Sequence, residues 1–373
     1  MNIAFVLRSL ANSGGIERTL TDKANYLAEQ GHQVLFVTYE QGQHELVFEL
    51  STSVIYVDLN CRKFTLYRYP LYKRLYKSWR MNRVMRSRWN TLVDDLHPDL
   101  VVITTYSNDS LSELMSVCKK IPVVVESHTA FTHDMQSHNF LEKLKNKYML
   151  NILKKCSLLI ALTEGDKLCW EKYLKNVRKV NNPVTRYVED VEHVKRRKGR
   201  IICVGRLHEQ KRYDRLISAF SLISDRHPSW YIDIYGYGCL RDSLEHQIDV
   251  LGLKGRIVIH EPTKDIYQEY LKSELFVLSS DYEGLPLVLL EAMACGTPSI
   301  ATDCPFGPAE VINDYETGVL CKMDEKDLAN KIDWMITHEK ERHEIGTKGH
   351  KAAARYKKEI IMKEWECAYL SVL

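Results

Sequence analysis

The sequence has no Cys-x-x-Cys pair, no Asp-x-Asp tripeptide and no low-complexity tract. It also has no apolar run near the roughly 18 residues that a membrane-crossing helix needs. Each absence removes a class of protein. The 10 cysteines are scattered, which argues against a disulfide scaffold or a zinc ribbon. Cys203, Cys295 and Cys304 sit among apolar or small residues, as reduced, buried thiols would. The start, MNIAFVLRSLANSGG, lacks a basic stretch followed by a long apolar core, so no signal peptide is expected and the protein is placed in the cytoplasm. Charge of one sign is also missing overall. The 52 Lys and Arg nearly cancel the 49 Asp and Glu, leaving +3, and no nucleic-acid partner is expected.

What is present has a regular order. A length of 373 residues favours two domains. Short apolar runs such as NIAFVL, QVLFVTY, VIYVDL, DLVVIT, IPVVVES and SLLIALT read as buried strands, and helical patterns at 16–30 and 141–155 fall among them. A second series follows: RIICVG, WYIDIYG, RIVIH, ELFVLSS, PSIAT and GVLC. Two successive β-α-β series make an α/β protein of two doubly wound parallel sheets. The charged, aperiodic stretch PVTRYVEDVEHVKRRKGR marks the join. The expected division is a first domain at 1–183, a linker at 184–199 and a second domain at 200–354. Residues 355–373 form a last helix that caps the second domain or crosses back to the first.

The stretch DYEGLPLVLLEAMACGTPSIATD carries two acids, Glu283 and Glu291, in apolar surroundings. It follows the strand ELFVLSS, so Glu283 falls in a loop at the carboxyl end of a parallel strand, where such sheets bind ligands. Pro286 suits the first position of a helix that Gly296 stops. The amides of Leu287 and Val288 then point out of the helix end, which favours an anion such as phosphate. Glu291 lies one turn on, on the same face as Leu287. Carboxylate, amide pair and carboxylate match a ligand of hydroxyls, phosphates and hydroxyls. Taken alone, two acids at this spacing fit solvated helix ends better than a ligand site. A second stretch, ICVGRLHEQKRYDRLISAF, puts Arg206 and Lys211 after another strand, where a guanidinium and an ammonium suit a diphosphate leaving group.

GRLHEQKRYDRLISAF followed by EGLPLVLLEAMACGTPSIATD resembles the retaining family-4 glycosyltransferases of the GT-B architecture, and TDCPFGPAEVI resembles their bacterial polysaccharide and lipid-linked oligosaccharide branch. The resemblance implies two Rossmann-like domains facing a central cleft. It implies transfer of a sugar from a nucleotide-diphosphate donor, a UDP-sugar in the first instance, to a glycan or lipid-linked hydroxyl with retention of configuration. By matching motifs, Arg206 and Lys211 hold the diphosphate, Glu283 the donor sugar and Glu291 the ribose. No cofactor and no metal are expected, because basic side chains and a helix end would take the place of a metal ion on the diphosphate.

Weaker matches add Gly14 and Gly15 beside the diphosphate, and His128 as a donor-contacting histidine with His133 and His138 as competitors. Gly236 stands after a strand where a base or ribose could come close, and Glu261 where the base is read by main-chain groups. Two rivals remain. A nicotinamide-dependent oxidoreductase would use Glu40 for a ribose, but the first turn lacks G-x-G-x-x-G. A non-enzymatic nucleotide- or sugar-binding module would not need Arg206 and Lys211 beside both glutamates.

One local absence stands out. Residues 61–90 contain no Asp or Glu, while Arg62, Lys63, Arg68, Lys73, Arg74, Lys77, Arg80, Arg83, Arg86 and Arg88 interleave with aromatics. Tyr72, Leu75, Tyr76 and Trp79 share one helical face. An anionic membrane surface is the expected partner, which would make the protein peripheral at the inner face of the cell membrane. A solvated basic helix or a site for an anionic glycan fits the same residues, and nucleic acid is disfavoured by the near-neutral chain.

Overall fold

The computed structural model describes residues 1–373 except Ser13, Arg62, 105–107, 119–120, 136–138 and Glu192. His138 and Arg62 therefore lie outside the described residues. The chain packs as two units, one of Met1–Asn181 with Met362–Leu373, the other of Asn182–Ile361.

The first unit holds β1 (Asn2–Leu7), α1 (Gly15–Glu29), β2 (Gln33–Thr38), β3 (Val54–Asp58), α2 (Leu71–Leu96), β4 (Leu100–Thr104), α3 (Asn108–Val117), β5 (Val123–Ser127), α4 (Phe131–Asp134), α5 (Phe140–Leu153), β6 (Leu158–Ala161), α6 (Glu164–Glu171) and β7 (Val177–Lys179). Its sheet is wholly parallel, in the order β3-β2-β1-β4-β5-β6-β7. The crossovers from β3 to β4, β4 to β5 and β5 to β6 all run the same way across the sheet. Right-handed crossovers then place α2, α3 and α5 on one face. There Met85, Trp89, Leu111, Leu114, Met149 and Ile152 join one buried core. The crossover from β1 to β2 runs the other way and sends α1 to the opposite face. Both faces are covered, which is why the strands read as unbroken apolar runs.

The second unit holds β8 (Arg200–Val204), α7 (Tyr213–Ser221), β9 (Tyr231–Tyr235), α8 (Arg241–Val250), β10 (Ile257–His260), α9 (Ile266–Leu271), β11 (Leu275–Leu278), α10 (Leu287–Ala294), β12 (Ser299–Thr302), α11 (Gly307–Val311), β13 (Val319–Cys321), α12 (Glu325–Thr337) and α13 (Glu339–Ala353). Its parallel sheet runs β10-β9-β8-β11-β12-β13. The strand order reverses between β1 and β4 in the first sheet and between β8 and β11 in the second. Ligands bind at such switch points, outside the carboxyl ends of the strands. The last helix, α14 (Lys358–Leu370), gives its residues from Met362 onward to the first unit.

Several details differ from the sequence reading. β7 was not anticipated, because at the sheet edge Val177 and Lys179 are only half-buried, Arg178 is exposed, and the strand carries no apolar run. The stretch 325–354 is two helices broken at His338, not one. Residues 184–199 are not a free linker, since they pack within the second unit. Arg196 explains why. It donates to the carbonyls of Ser273 (2.7 Å), Gly296 (2.8 Å) and Cys295 (3.2 Å), closing the C-terminal end of α10. That helix stops where the glycine predicted: Gly296 adopts φ +65°, and Thr297 N–H returns to Ala292 O at 3.0 Å.

Candidate active site

The loops after β8 and β11 meet at the second sheet's switch point. β8 leads into Gly205, exposed Arg206, a 3-10 turn at Glu209–Lys211, and then α7. The helix expected from Lys211 thus starts two residues later, because Arg212 at φ +49° interrupts it. A Cβ on Gly205 would lie 2.9 Å from Lys211 Cε and 3.0 Å from the buried Tyr213 hydroxyl. Glycine there lets the lysine side chain cross the backbone.

Lys211 Nζ donates to Glu283 Oε1 at 2.6 Å, and the Ser280 hydroxyl donates to the same oxygen at 2.6 Å. Glu283 is buried, so its charge is met by a cation and a hydroxyl. The two loops are also fastened beneath this pair. Asp281 takes ion pairs from Arg212 (2.9 Å) and Arg215, Arg215 donates to Ser279 O at 3.0 Å, and Ser279 Oγ donates to Lys211 O at 2.7 Å. Gln210 Nε2 reaches Tyr282 O at 2.8 Å, and Asp281 N–H reaches Gln210 O at 2.9 Å. Sequence reasoning missed Ser280, Asp281, Arg212 and Arg215. A basic helix start and an acid some 70 residues later are too common to be paired without the sheet order.

α10 begins at Leu287, with Pro286 just outside it as the N-cap rather than inside as its first residue. The amides of Leu287 and Val288 have no hydrogen-bond partner among the described residues. Arg206 makes no hydrogen bond or ion pair with any described residue either, and its charge stands near Tyr282. One edge therefore gathers a solvent-facing guanidinium, a lysine held by a carboxylate, and an open helix N-terminus, which together suit a polyanion. Glu291 is buried one turn into α10 and accepts from the Tyr270 hydroxyl at 3.3 Å. The loop at 305–307 closes over Glu283 so tightly that a Cβ on Gly307 would meet Gly284 O at 2.0 Å.

Other predicted positions are occupied differently. Gly236 passes the β8 loop, where a Cβ would sit 1.9 Å from Gly205 O. Glu261 is exposed and its carboxylate pairs with Arg241 at 2.7 Å.

In the first unit, Gly14 caps the start of α1, and a Cβ there would strike Glu17 Oε2 at 2.2 Å; Gly15 opens the helix. His133 is on α4 and half-exposed. His128 follows β5 and is almost fully buried, with Nε2 2.7 Å from Glu126 Oε2. Burial pulls its imidazole pKa down, so the ring is neutral near pH 7 and Nε2 carries the hydrogen toward the carboxylate. Glu126 itself is wholly buried. Burial pushes its pKa up, but the Lys23 charge and hydrogen bonds from His128 and Lys23 outweigh this and hold it down at about 2. Lys23 Nζ lies 2.8 Å from the same oxygen and 2.9 Å from the Trp365 ring centroid. The Tyr369 hydroxyl donates to the other oxygen, and Trp365 Nε1 donates to Asn181 O at 2.8 Å. His128 is thus oriented through Glu126 by residues from both ends of the chain, a link no local pattern announces.

Glu40, the acid on which the oxidoreductase reading rested, is spent in a 2.5 Å pair with Arg8, and that reading is not favoured.

Comparison with known proteins bears on this edge. Residues 13–185 match the model for Glycosyltransferase Family 4, and residues 188–352 the model for Glycosyl transferases group 1. An uncharacterized glycosyltransferase of Haemophilus influenzae is 26% identical, over 98% of each chain. An α-1,4-N-acetyl-D-galactosaminyltransferase of Campylobacter jejuni, named for an undecaprenol-linked GalNAc acceptor, is 23% identical over 98% of this chain and 97% of its own. Among solved structures, S. aureus TarM in complex with fondaparinux, α-GlcNAc-glycerol and UDP superposes with a TM-score of 0.80 at 15% identity, covering 99% and 100% of the two chains. With two Rossmann-like parallel sheets and a family model matched on each half, the chain belongs to the family-4 glycosyltransferases and has the GT-B fold.

Proposed function

We propose that the protein transfers a sugar from a UDP-sugar to a hydroxyl of a lipid-linked or growing glycan in cell-surface polysaccharide synthesis, with retention of configuration. The observation that carries this is the Lys211–Glu283 pair, at 2.6 Å, beside the open N-terminus of α10. Arg206, Lys211 and the amides of Leu287 and Val288 take the diphosphate. As the glycosidic bond breaks, they meet the negative charge that grows on the distal phosphate, at about 3 kcal/mol per well-placed donor. A diphosphate competing for Lys211 leaves the Glu283 carboxylate able to accept from the donor sugar's hydroxyls. Glu291 takes the ribose hydroxyls, and the base lies toward Gly236 and Glu261. In the first unit, Gly14, Gly15 and His128 stand at the carboxyl edge of their own sheet and are assigned to substrate contact there. Retention follows if the acceptor attacks the face that the nucleotide leaves.

The test is release of UDP from a panel of UDP-sugars with a polyprenyl-linked glycan, run in a chelator. Acceptor-dependent release that survives chelation is expected. Release that returns only with a divalent ion would place a metal on the diphosphate. The two glutamates should separate: Glu291→Ala weakens UDP affinity, whereas Glu283→Ala leaves affinity near normal and lowers kcat. Calorimetric titration with UDP beside turnover reads the difference, and normal UDP affinity in Glu291→Ala removes its ribose role.

The same reading places α2 on an anionic membrane. No helix among the described residues is long and apolar enough to cross one. From Tyr72 to Val84 no side chain of α2 is buried, and Tyr72, Leu75, Tyr76 and Trp79 are 55–69% exposed. Lys73, Arg74, Lys77 and Arg80 stand among them, each able to add about 1 kcal/mol near an anionic surface. Changing these four to Ser should release the protein from anionic vesicles, and rising salt should do the same to the wild type. Binding indifferent to lipid charge would reject this docking and leave the transferase reading intact.

A further inference from the structure

A second exposed apolar stripe lies on α5. Phe140, Leu141, Leu144 and Tyr148 are 73%, 75%, 48% and 59% exposed. At 3.6 residues per turn they fall within an arc of about 100°. The helix buries Met149, Ile152 and Leu153 near its other end. Lys143, Lys145 and Lys147 are exposed and flank the stripe on both sides, and Lys154 and Lys155 follow the helix. The single acid, Glu142, is engaged at the helix start by Asn139, whose side-chain Nδ2 donates to Glu142 Oε1 at 3.1 Å. Five lysines against one glutamate around four bare apolar side chains give the pattern of an interfacial helix.

Its placement matters as much as its composition. A crossover helix runs antiparallel to the strands it joins, so its first turns lie at their carboxyl ends. The bare halves of α2 and α5 are both first halves, and the helices share a sheet face with α3 touching each. Both stripes therefore rise from the sheet edge that also carries Gly14, Gly15 and His128.

We infer that α5 is a second membrane-contacting element: Phe140, Leu141, Leu144 and Tyr148 insert at the headgroup level of an anionic bilayer, beside α2. The inference rests on the membrane docking of the first unit. The occupant is argued from charge: the lysine rim suits anionic headgroups, and the apolar stripe suits the acyl boundary beneath them. The two helices divide the task. α2 carries the denser charge and the salt-sensitive attraction. α5 carries aliphatic and phenyl groups whose burial salt does not screen. Two separated contacts also fix the tilt of the unit on the surface, where a single helix would leave it free to rock.

The experiment is hydrogen–deuterium exchange of the full chain with and without vesicles of phosphatidylglycerol and phosphatidylcholine, read on peptides covering 72–84 and 140–148. Both segments should slow with vesicles present. The triple variant Phe140→Ser/Leu141→Ser/Leu144→Ser should bind the same vesicles about tenfold more weakly, with its melting temperature and its turnover of a water-soluble acceptor unchanged. Its residual binding should be more salt-sensitive than the wild type's. Slowing at 72–84 alone, with wild-type vesicle affinity in the variant, overturns the role of α5 and leaves α2 docked. Slowing in neither segment overturns the membrane docking on which this inference rests. Slowing at 140–148 without lipid, joined to a dimer that the variant loses, makes the stripe a contact between copies of the chain and overturns the inference.

Discussion

Lys211→Ala is expected to lower kcat by at least about two orders of magnitude and to lower the melting temperature as well. Arg206→Ala should match the first effect and lack the second. The difference follows from their surroundings. Arg206 is exposed and makes no ion pair with any described residue, so its removal costs only charge stabilisation where the diphosphate is proposed to lie. Lys211 answers the buried carboxylate of Glu283, and its removal leaves that oxygen with the Ser280 hydroxyl alone. An uncompensated buried charge is costly whatever the chemistry. Turnover at saturating donor, beside a thermal melt, separates the roles. Lys211→Ala within tenfold of wild-type kcat would remove it from the leaving-group site, and an unshifted melt would mean that Glu283 finds another partner.

The largest effect on stability is expected from Lys23→Met. Methionine keeps the volume but strands the ionised Glu126 in the interior, at a cost of about 3–5 kcal/mol. Glu126→Gln should be milder, because the amide oxygen can still accept from Lys23 and His128 while its NH2 donates to the Tyr369 hydroxyl oxygen. The pH dependence has a definite sign. The Glu126 pKa is depressed in the fold to about 2 from its ordinary 4.5. Its contribution is therefore complete above the ordinary value and is lost as pH falls toward 2. Urea unfolding at pH 7 and at pH 3 checks both statements. Wild type should lose stability on acidification, and Glu126→Gln should lose less of it. Equal losses would put the acid sensitivity elsewhere.

The sequence made the parallel sheets legible because strands covered on both faces must be apolar throughout, and six such runs stand on each side of the join. It hid β7, whose half-buried edge position asks for no apolar run. Around the candidate site, Lys211, Glu283 and the α10 end could be proposed because strand ends and helix starts have local signatures. The Arg212–Asp281–Arg215 fastening could not, since it depends on β8 and β11 being neighbours. Nor could the setting of His128, where Lys23, Glu126 and Tyr369 converge from positions with no shared pattern. The bare half of α2 was readable from its missing acids. That of α5 was not, because a stripe of four apolar residues on a helix looks the same whether it faces a core or a solvent.

The return of Trp365 and Tyr369 to the first unit reverses the order in which the chain can mature during synthesis. The second unit is continuous in sequence and can close as soon as it has been made. The first has its strands and most of its helices by Asn181, yet Lys23 and Glu126 lack their aromatic cover until residue 369 exists. At about 5–20 residues per second, that is a wait on the order of 10–40 s on the ribosome with a charged pair open to water. The half made first is therefore the half finished last. A nascent chain stalled anywhere between the units would expose an incomplete N-terminal half to proteases and chaperones.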